Sequence, residues 1–300
     1  MAFNWETFRT RTLTAAVFVA VMLIGLLWNQ WSFLILFSII HFGCWCEYLK
    51  LIEKINNINF HPYLKMGLMV MGYGLMLWFC GPSYQVNGYG LKENISLPVF
   101  AAGFALLLTG IFQKNRVVIK SFGAAVLGII YISLCWGLMM DLFRLNINYY
   151  SKKDFSDALC FPDFTANSIC WSIPILVIFS IWVNDTMAYI MGSLMGKTSL
   201  SKISPKKTWE GTIGGILLTL LVAVIVAYIA DFSIKQFIIT AAIIAITGTF
   251  GDLFESKLKR MAGVKDSGAI MPGHGGFLDR FDSLLLATPF VWIYVMLLLK

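Results

Sequence analysis

The stretch from Asp252 to Asp282 carries five acids and five bases: Asp252, Glu255, Asp266, Asp279 and Asp282 against Lys257, Lys259, Arg260, Lys265 and Arg280. Spacings of three and four residues bring side chains to one face of a helix. They would gather Asp252, Glu255, Ser256 and Lys259 on one helix, and Asp279 with Asp282 on the first turn of the next. Carboxylates in such a set suit Mg²⁺, which takes one or two of them and completes its shell with water and substrate phosphate. Asp252, Asp279 and Asp282 are the candidate metal ligands, and Asp252, Lys259, His274, Asp279 and Asp282 the candidate catalytic residues. Ser256, Arg260, Lys265, Asp266 and Arg280 are candidates for contacting a phosphorylated substrate, the lysine and arginines among them opposing phosphate charge. Glycines flank His274 and allow a backbone to approach a ligand closely. His274 itself has three open roles: phosphate contact, acid or base, or support of the glycine turn.

Two upstream features could join this site. Asp185 lies well inside an apolar run, where a carboxylate is costly unless paired, solvated or metal-bound. It is a functional candidate by default, the plainer alternative being a hydrogen bond to a neighbouring helix. After it, Ala188, Gly192 and Gly196 repeat every four residues, a ridge that lets another helix come close. The loop Ser204-Pro205-Lys206-Lys207-Thr208-Trp209-Glu210-Gly211 then offers Lys206 and Lys207 to a phosphate. Ser204-Pro205 suits the start of a helix, whose free amides would add to that attraction. Glu210 beside the lysines could pair with one of them or hold a metal. A positive anchor at the membrane surface is the plainer reading of this loop. Gly192 to Thr198 only superficially resembles a P-loop, being one residue short between its glycines and following a helix.

These residues must be positioned by membrane helices. The 300 residues are 58% hydrophobic and 13% charged, against about a quarter charged in soluble domains, and the mean hydropathy is +0.76. Nine apolar segments approach the length needed to cross about 30 Å of hydrocarbon. They cover 13–28, 32–48, 64–79, 97–112, 122–142, 171–191, 212–229, 237–250 and 283–299. In lipid their backbones must bond internally, so the expected fold is all-α and polytopic with about nine transmembrane helices. With the N-terminus cytoplasmic, seventeen lysines and arginines fall on the inside and six outside, and this bias sets the orientation. Residues 1–171 read as a helical scaffold and 172–300 as the catalytic region, with cytoplasmic loops 196–211 and 252–282.

The net charge of +7 sits in short loops between apolar runs, which favours anionic headgroups or phosphorylated substrates over nucleic acid. The first apolar segment has no cleavage site after it and reads as a retained helix. The six cysteines lack zinc or disulfide-framework spacing. Only Cys160 and Cys170, in a loop, invite a pairing.

At these residues the chain resembles the phosphatidate cytidylyltransferases, or CDP-diacylglycerol synthases. Their signature reads S-x-hydrophobic-K-R, four residues, K-D, then P-x-H-G-G-x-x-D-R-x-D. Here it is Ser256-Lys257-Leu258-Lys259-Arg260, Lys265-Asp266, and Pro272-Gly273-His274-Gly275-Gly276-Phe277-Leu278-Asp279-Arg280-Phe281-Asp282. Met271 is a conservative departure. Asn184-Asp185-Thr186 and the 204–211 loop are also similar to family sequences; over the first 180 residues the likeness is mainly hydropathy. The resemblance implies transfer of the cytidylyl group of CTP to phosphatidate, giving CDP-diacylglycerol and pyrophosphate, with Mg²⁺ as cofactor. It implies a multi-pass protein of the bacterial inner membrane with its active site facing the cytoplasm, and a homodimer is compatible with it. A CTP-dependent membrane lipid kinase and a transporter of phosphorylated metabolites are the competing readings.

Overall fold

A computed structural model describes residues 5–113, 118–151, 173–229, 233–268 and 275–298. The chain is a polytopic all-α membrane protein. Its helices are α1 (Trp5–Leu27), α2 (Gln30–Asn56), α3 (Pro62–Trp78), α4 (Ser96–Ile111), α5 (Ile119–Gly128), α6 (Cys135–Ser151), α7 (Ile173–Met195), α8 (Trp209–Ile229), α9 (Ile234–Met261) and α10 (Leu278–Leu298). Two π-helical stretches, Leu91–Ile95 and Ile129–Leu134, lead into α4 and α6. A two-residue hairpin pairs Gln85–Val86 with Tyr89–Gly90. The described residues of the nine apolar segments fall on helix, except that Trp28, Phe79 and Phe112 lie one residue past a helix end. Seven helices among the described residues are long and apolar enough to cross a membrane, and Leu13–Leu27 forms a shorter apolar one.

Local signals fix the helix ends. The Asn29 side chain accepts the Ser32 amide at 2.8 Å while Ser32 Oγ accepts the Asn29 amide at 3.0 Å, a reciprocal cap that starts α2. Asn57 ends it in the left-handed region at φ 51°. His61 accepts the Tyr63 amide ahead of Pro62 and so caps α3. His41 is fully buried, bonded to Ser133 at 3.0 Å and ringed by Phe42, Trp45 and Tyr73. Both histidines are thus occupied by helix structure.

The chain divides into two compact units, one of residues 1–137 and 258–281, the other of residues 138–257 and 282–300. The division passes through α6, α9 and α10. Each unit has a long helix pair brought together through small residues. In the first, α3 meets α4: a Cβ added at Gly103 would lie 2.2 Å from the Met71 nitrogen, and one at Gly67 2.4 Å from that of Leu107. In the second, α7 meets α8 along the predicted ridge. A Cβ at Gly215 would lie 2.7 Å from that of Ala188, and one at Gly211 would lie 2.8 Å from the Gly192 Cα. Such backbone approach is what small residues provide between helices in lipid. Gly215→Val is therefore expected to destabilise the protein by about 1–3 kcal/mol, read as a lowered melting midpoint in detergent. An unchanged midpoint would mean that the pair does not depend on this contact.

Cys44, Cys46, Cys80 and Cys135 are free thiols. Burial pushes the Cys80 thiol, in the turn after α3, up to about 12, so it stays protonated as a small apolar group. Cys160 and Cys170 lie outside the described residues.

Candidate active site

In the second unit, three helices and one loop build a cavity of about 570 Å³, lined by Asn184, Asp185, Lys206, Lys207, Thr208 and Asp252 among others. Asp185 is carried by α7 and its side chain is exposed, while its neighbour Asn184 is buried. Asp252 sits on α9, where Lys207 donates to its Oδ2 and Ser256 Oγ to its Oδ1 at 3.2 Å. Asp282, 8% exposed, sits on α10 and accepts the Ser283 amide at 2.6 Å. Asp252, Asp185 and Lys207 are near enough to act on its charge. Gly251 explains the approach: a Cβ there would lie 2.5 Å from the Asp282 carbonyl oxygen, so α9 and α10 meet backbone to backbone beside both aspartates. Glu255, one turn on, is wholly buried.

The loop before α8 differs from its sequence reading in one respect. Ser204 starts no helix; it accepts the Lys207 amide at 3.1 Å, making a turn around Pro205 and Lys206. Leu200 and Lys207 then pair through the backbone at 2.7 Å, and Trp209 and Thr198 at 2.9 Å. Helix α8 begins only at Trp209, with Thr208 Oγ1 accepting the Gly211 amide at 3.1 Å. Lys206 and Lys207 are thus held on a hairpin-like loop at the cavity wall, not at a helix start. Glu210 bonds to the loop backbone and Thr198, and not to a lysine side chain. It takes the Lys197 amide at 3.2 Å, the Thr198 amide at 3.1 Å and the Thr198 hydroxyl at 2.7 Å, closing the base of the loop.

In the first unit a second cluster forms around Asp279. Lys259 donates to its Oδ1 at 2.6 Å. The Ser267 amide and hydroxyl, both at 2.9 Å, and the Gly276 amide at 2.8 Å converge on its Oδ2. Glu47 of α2 lies against the same segment at 2% exposure. It accepts the amides of Phe277 and Leu278 and the Ser267 hydroxyl. The signal that singled out Asp185, a carboxylate in an apolar run, would have found Glu47 too. Arg260, Lys265, Asp266 and Arg280 are exposed, Arg260 reaching the Val264 carbonyl at 3.4 Å. His274 and its neighbours 269–273 lie outside the described residues.

Each unit thus carries an acidic cluster bonded to a lysine, Asp252 to Lys207 and Asp279 to Lys259. A model of the cytidylyltransferase family matches residues 9–298. The chain belongs to the cytidylyltransferase family. A phosphatidate cytidylyltransferase of Staphylococcus saprophyticus is 31% identical over 286 residues, covering 94% of this chain and 96% of that protein. One from Staphylococcus aureus is 32% identical over 289 residues with the same coverage. One from Synechocystis reaches 48% over 131 residues, 42% of this chain and 44% of that protein. The resemblance carried by the signature residues is thereby borne out at the level of the family.

A metal can be tested against this cytidylyltransferase's own donors. Among the described residues no three acidic, histidine or cysteine side chains are grouped closely enough to hold an ion on their own. Asp252 and Asp282 offer hard oxygens at one place, with Lys207 already sharing Asp252. That set fits Mg²⁺ arriving with a substrate phosphate, since this ion uses few protein carboxylates and keeps its remaining positions for water and phosphate. It does not resemble an all-protein cage.

Proposed function

We propose that the protein transfers the cytidylyl group of CTP to phosphatidate. A phosphatidate phosphate oxygen attacks the α-phosphorus of CTP, the bond from that phosphorus to the bridging oxygen breaks, and pyrophosphate leaves as CDP-diacylglycerol forms. The observation that carries this reading is the gathering of Asp185, Asp252 and Asp282, carried by membrane helices, with Lys207 of the loop before α8, within a chain matched over 94% of its length by phosphatidate cytidylyltransferases.

The attacking phosphate is already largely ionised near neutral pH, so no strong base is needed. Positioning and charge neutralisation then account for most of the rate. Lys206 and Lys207 face the cavity and hold a substrate phosphate there. Asp252 and Asp282 would hold Mg²⁺, with Asp185 adding negative charge at the wall. Bound there, the ion would supply Lewis-acid polarisation of a phosphoryl oxygen and neutralise developing charge. Lys259, ordered by Asp279, together with Arg260, Lys265 and Arg280, neutralises nucleotide phosphates. The excess of basic residues on the N-terminal side supports an inner-membrane protein whose site opens to the cytoplasm, where CTP is available. A homodimer is part of the reading and is checked by mass measurement in nanodiscs.

The direct test supplies purified protein with phosphatidate, Mg²⁺ and CTP labelled separately in the cytosine and the γ-phosphate. Cytosine label entering the lipid phase is the expected result. γ-Label alone in lipid would replace this reading with a lipid kinase, and label in neither would favour transport.

A further inference from the structure

An α-helix begins with amide groups that its own carbonyls cannot reach. Ahead of α10 stand Gly275, Gly276 and Phe277, whose side chains can accept no hydrogen bond. The acceptor comes from another helix. Glu47 Oε1 takes the Phe277 amide at 2.9 Å, and Oε2 takes the Leu278 amide at 2.8 Å and the Ser267 hydroxyl at 2.7 Å. A carboxylate buried to this degree in an apolar helix is costly unless hydrogen-bonded, and these three donors all belong to the segment that carries Asp279. Two glycines make the room. A Cβ at Gly276 would lie 2.3 Å from both carboxylate oxygens, and one at Gly268 would lie 2.1 Å from Oε1. The Ser267 hydroxyl also reaches Asp279 Oδ2 at 2.9 Å. It has one proton to donate, so Glu47 and Asp279 are tied through a single shared group.

We propose that Glu47 is a positioning residue for cytidylyl transfer. By capping α10 and holding Ser267, it fixes the turn on which Asp279 receives Lys259. The inference rests on the placement of Asp279 and Lys259 in the active site above. Glu47 itself touches no substrate; it acts through the helix start.

The test uses the full-length protein in nanodiscs containing phosphatidate, with Glu47→Gln, Ser267→Ala and the matched control Glu53→Gln. Glu53 is another buried carboxylate of α2, bonded to the Phe60 amide at 2.7 Å and Lys65 at 2.9 Å. Glu47→Gln turns one acceptor into a donor facing an amide. It is expected to lower kcat by roughly 10–100-fold, as loss of a supporting partner does, with KM for CTP changed less than about threefold. Hydrogen exchange at the Phe277 and Leu278 amides should quicken by about tenfold or more. Ser267→Ala removes one donor and folds more readily; it should move both readouts in the same direction by less. Glu53→Gln should lower the melting midpoint while leaving kcat and those two amides unchanged.

Unaltered exchange at 277 and 278 in Glu47→Gln would overturn the proposal. So would faster exchange with unchanged kcat, or an equal loss of kcat in Glu53→Gln. Should Glu47→Gln fail to fold, the Ser267→Ala readouts decide in its place. Wild-type protein that transfers no cytidylyl group would overturn the proposed reaction instead; the exchange data would then still decide whether Glu47 holds α10.

Discussion

Asp282→Asn is expected to lower kcat by roughly 10²–10³-fold while leaving the melting midpoint unchanged or raising it. The two signs come from the same surroundings. Asp282 is nearly buried beside Asp252 and Asp185, and like charges brought together out of water oppose folding. Asparagine keeps the shape, still accepts the Ser283 amide and removes one of those charges. A residue serving structure alone would show stability and activity falling together. Asp252→Asn should match the loss of turnover, but it also strips Lys207 of its carboxylate partner. Both variants should shift the Mg²⁺ concentration needed for half-maximal rate upward. Near-wild-type turnover in both purified variants would sink the assignment of the ion to these residues.

Asp279→Asn should behave in the opposite way towards stability. Lys259 and Asp279 are 13% and 10% exposed as side chains, and Asp279 also binds two amides and a hydroxyl. Neutralising it removes the carboxylate charge that Lys259 donates to and puts an amide group among donors. A loss of about 2–4 kcal/mol is expected, alongside a fall in kcat of roughly 10²-fold or more. Lys259→Met should produce a comparable fall. In the double variant the effects should not add, with a coupling energy of about 1–3 kcal/mol. Additive effects on kcat would show that the two residues act independently and that the pair is not one catalytic element.

What the sequence could reveal here follows from which interactions use side chains of recognisable type. Asp185, Asp252 and Asp282 stand out because carboxylates are rare in apolar helices, and the structure brings them to one unit with Lys207. Ala188 and Gly192 were legible as a contact ridge for the same reason, a regular spacing of small residues. Glu210 was readable as important but not in its role. Its partners are the Lys197 and Thr198 amides, and backbone donors leave no trace in residue types. The same limit hid the turn at Ser204, where serine and proline suit a helix start and a turn equally well. Glu47 was the hardest to place, because the amides it binds lie some 230 residues away. The glycines around His274 pointed to close approach. At Gly276 what approaches is the Glu47 carboxylate, and at Gly275, with φ +83°, it is Asp279.

The bond from Glu47 to the start of α10 also has a place in time. The Leu278 amide follows Glu47 by 231 residues, and at about 5–20 residues per second the ribosome takes roughly ten to fifty seconds to supply it. Until Ser267 and then the two amides are made, the carboxylate must be solvated by water or by a temporary neighbour, since a buried acid is costly without hydrogen bonds. The nascent protein therefore closes its catalytic end last. A chain arrested before residue 277 lacks the two amides that complete the carboxylate's hydrogen bonds.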